Sequence, residues 1–325
     1  MGETPDTEVL RRAVRLACRA PSVHNSQPWR WVAASGVVHL HLDRRRMVPD
    51  TDRSGRQALI SCGAVLDHFR VAMLAAGWRS AVERFPDPRE PDRLASIELR
   101  AADHVTKSQR DQAEAILQRR TDRLPLGRPT YWNVVEPTLR GVVADGPIRL
   151  DVLSDDVRPL LADASQLSGL LRRDDASYHA ELDWWTSPFA LTEGVPPSAL
   201  ASEKEHRRVD VGREFPARGH GDRRPEVEAD WSKILVVSTA EDTAEDALRC
   251  GEALSTILLE CTRALLATCT LTHLIELEQS CDIVRSLLDE QGRPQLLIRA
   301  GIAPHMELPP APTPRRPVDE VLEIR

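Results

Sequence analysis

Hydrophobic and polar positions repeat with two different periods along this chain, and the two periods predict alternating helices and strands. Apolar side chains at 38, 40 and 42 alternate with polar ones at 39, 41 and 43, which predicts a half-buried strand over 37–42. Longer apolar runs with helical spacing predict amphipathic or buried helices. The predicted helices lie at about 8–20, 55–78, 110–121, 136–143 and 246–267, and the other predicted strands at about 94–99, 148–153, 234–237 and 295–302.

The helical segments contain a weak internal repeat. Cys62-Gly63 lies in one apolar helix and Cys250-Gly251 in another, and the apolar positions after each pair have the same spacing. Each of these helices is followed by a similar strand, and each half has an upstream helix that runs into a strand. This shared order predicts two related halves, 1–108 and 109–325, with chance similarity of two amphipathic helices as the alternative.

The two halves differ in ways that mark candidate functional segments. Only the first half has a polar loop, at 20–31, between its first helix and strand. Only the second half has the basic run Arg119–Arg123 and an insertion of roughly 70 residues at about 158–230. The insertion is either a lid or a surface excursion with a small satellite core. As a lid, it would use three aromatic residues: Trp184, Trp185 and Phe189.

The loop and the basic run carry side chains suited to a flat, polar ligand that bears a phosphate. The loop offers hydroxyl, imidazole and amide groups between two prolines, a set found at pocket rims and equally in turns that end helices. Forked guanidinium donors in the basic run match phosphate oxygens, although cations at a helix C-terminus also complement its dipole. An extended C-terminal arm at 304–325 brings Arg315 and Arg316 to some surface.

Composition and charge narrow the function classes. The chain has 325 residues, 41% hydrophobic and 29% charged, which is typical of a globular protein with one large or two medium domains. A net charge of −7 argues against a surface that binds nucleic acid. Because the first seven residues are acidic and lack an apolar core, we expect no secretory signal. Charges at 260 and 263 interrupt the long apolar stretch, which disfavours a membrane span. The six scattered cysteines are expected to be reduced core residues of a cytoplasmic protein.

Several catalytic and metal-binding motifs are absent or incomplete. The sequence has no P-loop, no GxGxxG after a strand and no GxSxG, which disfavours P-loop NTPases, Rossmann dehydrogenases and α/β-hydrolases. His39, His41 and Asp43 share one strand face and could ligate a metal, but Arg44 stands where a metallohydrolase motif has its next histidine. We therefore expect an exposed strand face and no metal site.

Three motifs together resemble the nitroreductase-like flavoproteins, and more narrowly the Acg family of FMN-binding nitroreductases. They are Ala20-Pro-Ser-Val-His-Asn-Ser-Gln-Pro-Trp29, Arg119-Arg-Thr-Asp-Arg123 and Pro314-Arg-Arg-Pro-Val-Asp-Glu-Val-Leu322. The resemblance implies an α+β nitroreductase-like fold that is internally duplicated, so that one chain mimics a nitroreductase homodimer and acts as a monomer. It also implies FMN as the cofactor.

The resemblance further implies roles for individual residues. The FMN phosphate would be gripped by Arg119, Arg120, Thr121 and Arg123, with help from Arg316. The isoalloxazine ring would be approached by Pro21, Ser22, Val23, Asn25 and Gln27. Leu274-Ile-Glu-Leu277 matches an Ile-Glu-Gly segment whose backbone lies near flavin N5, which assigns Glu276 to the site but leaves Leu277 in place of glycine.

The function implied by the resemblance is electron transfer from NAD(P)H through FMN to a small nitro or quinone acceptor. The flavin carries the hydride, so no catalytic side chain is required. One alternative is a flavin-sequestering protein, in which the insertion covers the FMN and turnover is small or absent. A third possibility is an interaction protein that kept the fold and lost the cofactor.

Overall fold

The structure, a computed structural model, describes residues 4–144, 146–187, 192–216, 221–288, 292–304 and 312–325. The chain forms two compact units. The first comprises Met1–Arg119, Thr243–Leu259 and Arg315–Arg325, and the second comprises Arg120–Asp242 and Glu260–Pro314. These units are not identical to the two predicted sequence halves, because three segments of the second half, 109–119, 243–259 and 315–325, belong to the first unit.

The helices and strands alternate along the chain. The helices are α1 (Thr7–Ala17), α2 (Arg56–Ala75), α3 (Lys107–Gln118), α4 (Trp132–Gly141), α5 (Arg158–Arg172), α6 (Ala176–Trp185), α7 (Glu203–His206), α8 (Ala244–Arg263), α9 (Glu278–Ser286) and α10 (Val318–Val321). The strands are β1 (Trp29–Ala34), β2 (Val37–Leu42), β3 (Trp78–Arg84), β4 (Arg93–Ala101), β5 (Arg149–Leu153), β6 (Lys233–Thr239), β7 (Ala267–Leu271), β8 (Arg293–Gly301) and β9 (Leu322–Ile324).

The two sheets have the same topology, which confirms the α+β class and the internal duplication. The first unit has the strand order β3-β4-β2-β1-β9, and the second has β7-β8-β6-β5. Every pair in these sheets is antiparallel except that of β1 with β9, where Trp31 lies opposite Leu322. In the chain, α2 lies between β2 and β3 just as α8 lies between β6 and β7. Strand β9 is the addition that ties the C-terminus to the first sheet.

The core of the first unit is built around α2. Both strand tryptophans, Trp29 and Trp31, are fully buried, and the Trp31 ring lies 4.8 Å from that of Phe69. Gly63 of α2 and Gly251 of α8 face each other so closely that their Cα atoms leave no room for a side chain. The repeated Cys-Gly pair therefore marks a helix crossing.

The insertion lies between β5 and β6 and contains α5, α6 and α7. Leu161 and Ala164 of α5 belong to the same buried cluster as Val236 of β6 and Cys269 of β7. Helix α5 is thus part of the main core of the second unit, so a purely superficial excursion with its own satellite core is the wrong interpretation of this helix.

Three predicted boundaries are corrected. The helix expected to reach residue 121 ends at Gln118, so Arg119–Arg123 follows the helix instead of closing it. The helix expected to reach residue 267 ends at Arg263 and leaves room for β7. The polar loop is shorter than 20–31, because Trp29 already begins β1. Part of the C-terminal arm, 305–311, lies outside the described residues.

All six cysteines lie within the described ranges, are buried and form no disulfide, as the sequence predicts. In the same part of the chain, one helix, Arg56–Ala75, has the length and apolar composition of a membrane span. Inside the structure, 72% of its apolar window is buried, which is also what a core helix shows.

Candidate functional site

The polar loop adopts an unusual backbone conformation. His24, Asn25 and Gln27 have positive φ angles of 48°, 57° and 52°, in the left-handed region that residues other than glycine rarely occupy. Such residues persist only where their surroundings hold them, and they concentrate at ligand sites. Three of them within four positions make this loop a candidate binding site on backbone geometry alone.

Specific hydrogen bonds hold the loop in this shape. The backbone N–H of Val23 donates to Ser61 Oγ at 3.2 Å, and that of Gln27 donates to Ser22 Oγ at 3.1 Å. His24 Nε2 lies 3.1 Å from Thr51 Oγ1. Helix α2 and the segment before it therefore support the loop from below. The predicted ring-binding residues fall into two groups: Asn25 and Gln27 are buried, and Pro21, Ser22 and Val23 are half-buried.

The adjacent arginines 315 and 316 contact both ends of the loop. The Arg315 side chain donates to the carbonyl oxygen of Ala20 at 3.2 Å, where the loop begins. The backbone N–H of Arg316 donates to Gln27 Oε1 at 2.9 Å, where the loop ends. Within the described part of the chain, the buried Nη1 of Arg316 and the buried Oγ of Ser26 have no hydrogen-bond partner. Unsatisfied buried groups of this kind are rare and point to a missing partner.

A cationic cluster lies where α1 runs into the loop. Arg119 Nη2 and Arg315 Nη2 each donate to the carbonyl oxygen of Arg19 at 3.1 Å. Arg315 Nε also donates to the Cys18 carbonyl at 2.7 Å. Burial lowers the pKa of Arg315 well below its ordinary value, and repulsion from Arg19 and Arg119 lowers it further. An anion at this position would relieve both penalties, so these residues fit a phosphate group.

Sequence reasoning assigned Arg316 to the phosphate and gave Arg315 no such role. The two residues are adjacent in Pro-Arg-Arg-Pro, and the structure places the Arg315 side chain at the end of α1. The carbonyls at the end of a helix attract guanidinium donors, and this is the signal that points to Arg315.

The rest of the basic run belongs to the second unit, where it has other partners. Thr121 forms a parallel bridge with Thr268, and Asp122 binds the buried Arg224 at 2.6 Å. Arg123 donates to the Ala199 carbonyl at 3.3 Å and lies 5.2 Å from the centre of the Phe215 ring. Arg120 is half-buried. Asp122 and Arg123 therefore have structural contacts within the second unit.

Glu276 is buried among cations of the second unit. Its carboxylate forms ion pairs with Arg213 and, at 3.7 Å, with Arg172, and Thr272 Oγ1 donates to it at 3.1 Å. Although burial lowers the pKa of Arg213, attraction by Glu276 raises it above its ordinary value. Leu277, which replaces the expected glycine, has φ −120° and ψ 137°, an extended conformation open to any residue. The substitution therefore imposes no backbone strain at this position.

The structure describes two of the three predicted lid residues, and these two differ in exposure. Trp184 is 67% exposed, whereas Trp185 is 8% exposed and packs into the second unit. Its carbonyl oxygen accepts a hydrogen bond from the Val195 N–H at 2.7 Å. Phe189 lies outside the described residues.

Two of the three possible metal ligands on β2 and just after it, His39 and Asp43, have other side-chain partners. His39 Nδ1 lies 2.9 Å from Ser96 Oγ, and Asp43 accepts a hydrogen bond from Arg45 Nε at 3.0 Å. Burial, followed by repulsion from Arg30, lowers the pKa of His41 to about 4. Over the described ranges, no group of three His, Cys, Asp or Glu side chains is arranged to hold a metal.

The chain is similar to several mycobacterial proteins, although no family model matches it. An uncharacterized protein of Mycobacterium tuberculosis H37Rv is 63% identical over 98% of this chain and 93% of its own length. The protein named "Putative NAD(P)H nitroreductase acg" from the same strain is 55% identical over 98% of this chain and 96% of its own.

Two solved structures are also similar. A crystal structure described as a "putative nitroreductase" from Anabaena variabilis ATCC 29413 has 11% identity and a TM-score of 0.45, covering 92% of this chain and 90% of that one. The FMN-dependent nitroreductase NfnB from Mycobacterium smegmatis, crystallised with NADPH, has 15% identity and a TM-score of 0.38 over 61% of this chain and 90% of that one.

Proposed function

Because the chain belongs to the family of the mycobacterial acg nitroreductases, we propose that it binds FMN and transfers electrons from NAD(P)H to a small nitro or quinone acceptor. The observation that carries the proposal is the contact of Arg315 and Arg316 with both ends of the left-handed loop. This arrangement combines a cationic cluster with a polar loop of fixed shape, as a phosphorylated planar cofactor requires.

In this proposal the phosphate lies against the cationic cluster of the first unit. Arg119 and Arg315 converge on the Arg19 carbonyl, which fixes the direction of both guanidinium groups. Fixed, buried guanidinium groups lose little entropy on binding, and their charge-assisted hydrogen bonds are stronger than neutral ones. Arg120, Thr121 and Arg123 remain proposed contributors, although Arg123 already donates to the Ala199 carbonyl.

The loop residues would orient the flavin ring. Pro21, Ser22 and Val23 present a half-buried edge, and Gln27 is held by Arg316 at its side-chain oxygen. Bound FMN would supply hydride transfer, so the chain's part is to bind, orient and tune the ring. Because the Glu276 carboxylate is engaged by Arg213, the proposed contribution of this residue comes from its backbone.

The identity of the acceptor and the role of the insertion as a lid are also parts of the proposal. Flavin sequestration is the second candidate function, and in it the exposed indole of Trp184 on α6 would help to cover the flavin. A covered flavin would be kept from NAD(P)H, so the two functions differ in how fast the nucleotide reduces the bound FMN.

The test is an anaerobic NADPH titration of the purified chain loaded with FMN. The oxidoreductase proposal predicts a yellow protein that NADPH bleaches within the time of a normal turnover, followed by reoxidation on addition of a quinone. A yellow protein that only dithionite bleaches would support sequestration instead. A colourless protein that takes up no added FMN would contradict both flavin functions.

A further inference from the structure

The second unit contains a cavity of mixed polarity that is formed largely by the insertion. Its volume is about 310 Å³, at the lower end of the range for small-molecule sites. One face of α5, from Ser165 to Arg172, forms a wall. Tyr178 of α6, the segment 206–214 and His273 complete the lining. None of the lining residues belongs to the proposed FMN set, so the cavity goes beyond the function proposed above.

His273 lines this cavity and contains an unsatisfied buried atom. The residue is 4% exposed, and its Nε2 lies 2.8 Å from Ser165 Oγ. Its Nδ1 has no hydrogen-bond partner among the described residues. Burial and repulsion from Arg213 and His206 keep the pKa of His273 well below its ordinary value, so the ring is neutral. A neutral ring can present Nδ1 as an acceptor or, in the other tautomer, as a donor.

A planar stack lies beside this histidine. The Arg172 guanidinium lies 4.4 Å from the centre of the Tyr178 ring, which makes a flat cation–π wall. The Tyr178 hydroxyl accepts a hydrogen bond from Arg213 Nη1 at 2.7 Å and therefore keeps its own proton to donate. The residues that line the cavity thus include a hydroxyl donor, a neutral histidine ring and an aromatic face.

The charges around the cavity favour a neutral ligand over an anion. Arg213 is neutralised by Glu276, and Arg172 is shared between Glu276 at 3.7 Å and Asp175 at 3.4 Å. Two acidic residues also line the cavity: Asp210 is paired with Arg158 at 2.8 Å, and Glu214 lies 3.9 Å from His206 Nε2. The cations that line the inner wall therefore already have carboxylate partners.

We propose that this cavity binds a small, uncharged, planar compound that carries an amide or lactam group. Such a group has a donor and an acceptor side by side, so it can pair with the Tyr178 hydroxyl and with either tautomer of His273. Its ring would stack on the flat wall that Tyr178 forms with Arg172. Burial of a single ring with two hydrogen bonds gives affinities near the millimolar range.

The test uses uracil as the lactam probe and benzoate as an anionic probe of similar shape, titrated into the full chain labelled with ¹⁵N-histidine. Two variants remove the site. Gly169→Leu fills the cavity from α5, where an added Cβ would lie 4.0 Å from the end of the Glu214 side chain. His273→Gln keeps a polar group facing Ser165 and removes the Nδ1 atom. Gly141→Leu is the matched control, at a helical glycine whose Cβ position has no atom of the described ranges within 4 Å.

The proposal predicts saturable uracil binding at one site, a shift of the His273 Nδ1 resonance, and binding at least tenfold weaker in Gly169→Leu and His273→Gln. In Gly141→Leu the uracil affinity should stay within twofold of that of the unmodified chain. Preferential binding of benzoate would overturn the proposal. Uracil binding that Gly169→Leu does not weaken would overturn it as well. FMN uptake by the same variants is measured in parallel, so failure of the flavin proposal remains distinguishable from failure of this one.

Discussion

Gly63 and Gly251 pack backbone against backbone where α2 crosses α8 in the first unit. A Cβ on Gly63 would lie 1.9 Å from the Leu248 carbonyl oxygen, and one on Gly251 would lie 2.0 Å from that of Ile60. No atom pair tolerates such distances, so both positions require glycine. The Cys-Gly pair that is repeated in the sequence therefore marks the contact between these two helices.

Replacing either glycine by alanine is expected to destabilise the protein strongly. The helices must separate to admit the methyl group, and overpacking of a tight core costs about 1–3 kcal/mol or more. Gly141→Ala is the control, because none of the described residues comes within 4 Å of its Cβ position and alanine favours the helix by up to about 1 kcal/mol. Chemical denaturation measures both. Equal stability of Gly63→Ala and Gly141→Ala would contradict the crossing.

Asp122 is expected to be a structural residue inside a motif that resembles a ligand clamp. Its carboxylate accepts hydrogen bonds from both terminal nitrogens of the buried Arg224, at 2.6 and 3.1 Å. Asp122→Asn leaves that guanidinium without its charge partner, which costs about 3–5 kcal/mol of unfolding free energy.

The exposed pair Glu203–Arg207 supplies the control for this ion pair. Glu203→Gln should change stability by less than about 1 kcal/mol, because water screens the pair. The double variant Asp122→Asn/Arg224→Met should recover part of the loss. A strictly additive double variant would show that the two residues do not interact.

The buried His68 is expected to make folding sensitive to acid. Ser255 donates to Asp67 at 2.6 Å, so His68 Nδ1 donates to Ser255 at 2.8 Å and the ring is neutral. Burial, followed by repulsion from Arg119 and Arg315, keeps the pKa of His68 well below 6.5. As the pH falls below 6.5, the histidine of the unfolded chain binds a proton that the folded chain does not bind. The free energy of unfolding therefore decreases by up to about 1.4 kcal/mol per pH unit.

His68→Asn isolates this contribution, because asparagine keeps a donor near the Nδ1 position and does not titrate. The difference between the two stability profiles should grow as the pH falls below 6.5. This difference also separates the contribution of His68 from that of the Asp67 carboxyl, which is present in both proteins. Burial raises the pKa of that carboxyl. His104→Asn, at an exposed position, should leave the slope unchanged. An identical slope in His68→Asn would refute the assignment.

Arg119→Ala is expected to weaken FMN binding by about 2–3 kcal/mol, the scale of a lost charge-assisted contact. Riboflavin, which lacks the phosphate, should bind the variant as it binds the unmodified chain. If Arg119 only supports the Arg19 carbonyl, both flavins would weaken equally. Arg12→Ala, at a side chain that is 73% exposed on α1, is the matched control and should leave both affinities unchanged.

Long periodic segments made much of the fold predictable. The alternation at 37–42 is a strand, and the repeat around Cys62 and Cys250 is a real duplication of sheet topology. Strand β7 was missed because no glycine marks the end of α8. The left-handed residue after that helix is Leu265, with φ 60°, so the usual stop signal is lacking in the sequence.

The segments that form the candidate site could be predicted from the sequence, but the contacts between their residues could not. The loop and the arm carry recognisable motifs, and the structure joins them through Arg316 and Gln27. The Arg315 side chain reaches the end of α1. The spacing of residues along the sequence does not encode which of the two adjacent arginines does so. Likewise, the partner of Asp122 lies about one hundred residues away at Arg224, within an insertion that has no counterpart in the first half.

The central claim, that the loop and its cationic cluster hold one phosphorylated flavin, is tested most directly by comparing FMN with riboflavin. Equilibrium titration of the purified, flavin-free chain, followed by flavin fluorescence, gives both the affinity and the stoichiometry. The account predicts one FMN per chain, bound about 100-fold more tightly than riboflavin, a difference of about 2.7 kcal/mol. Equal affinity for the two flavins, or no saturable FMN binding, would contradict it.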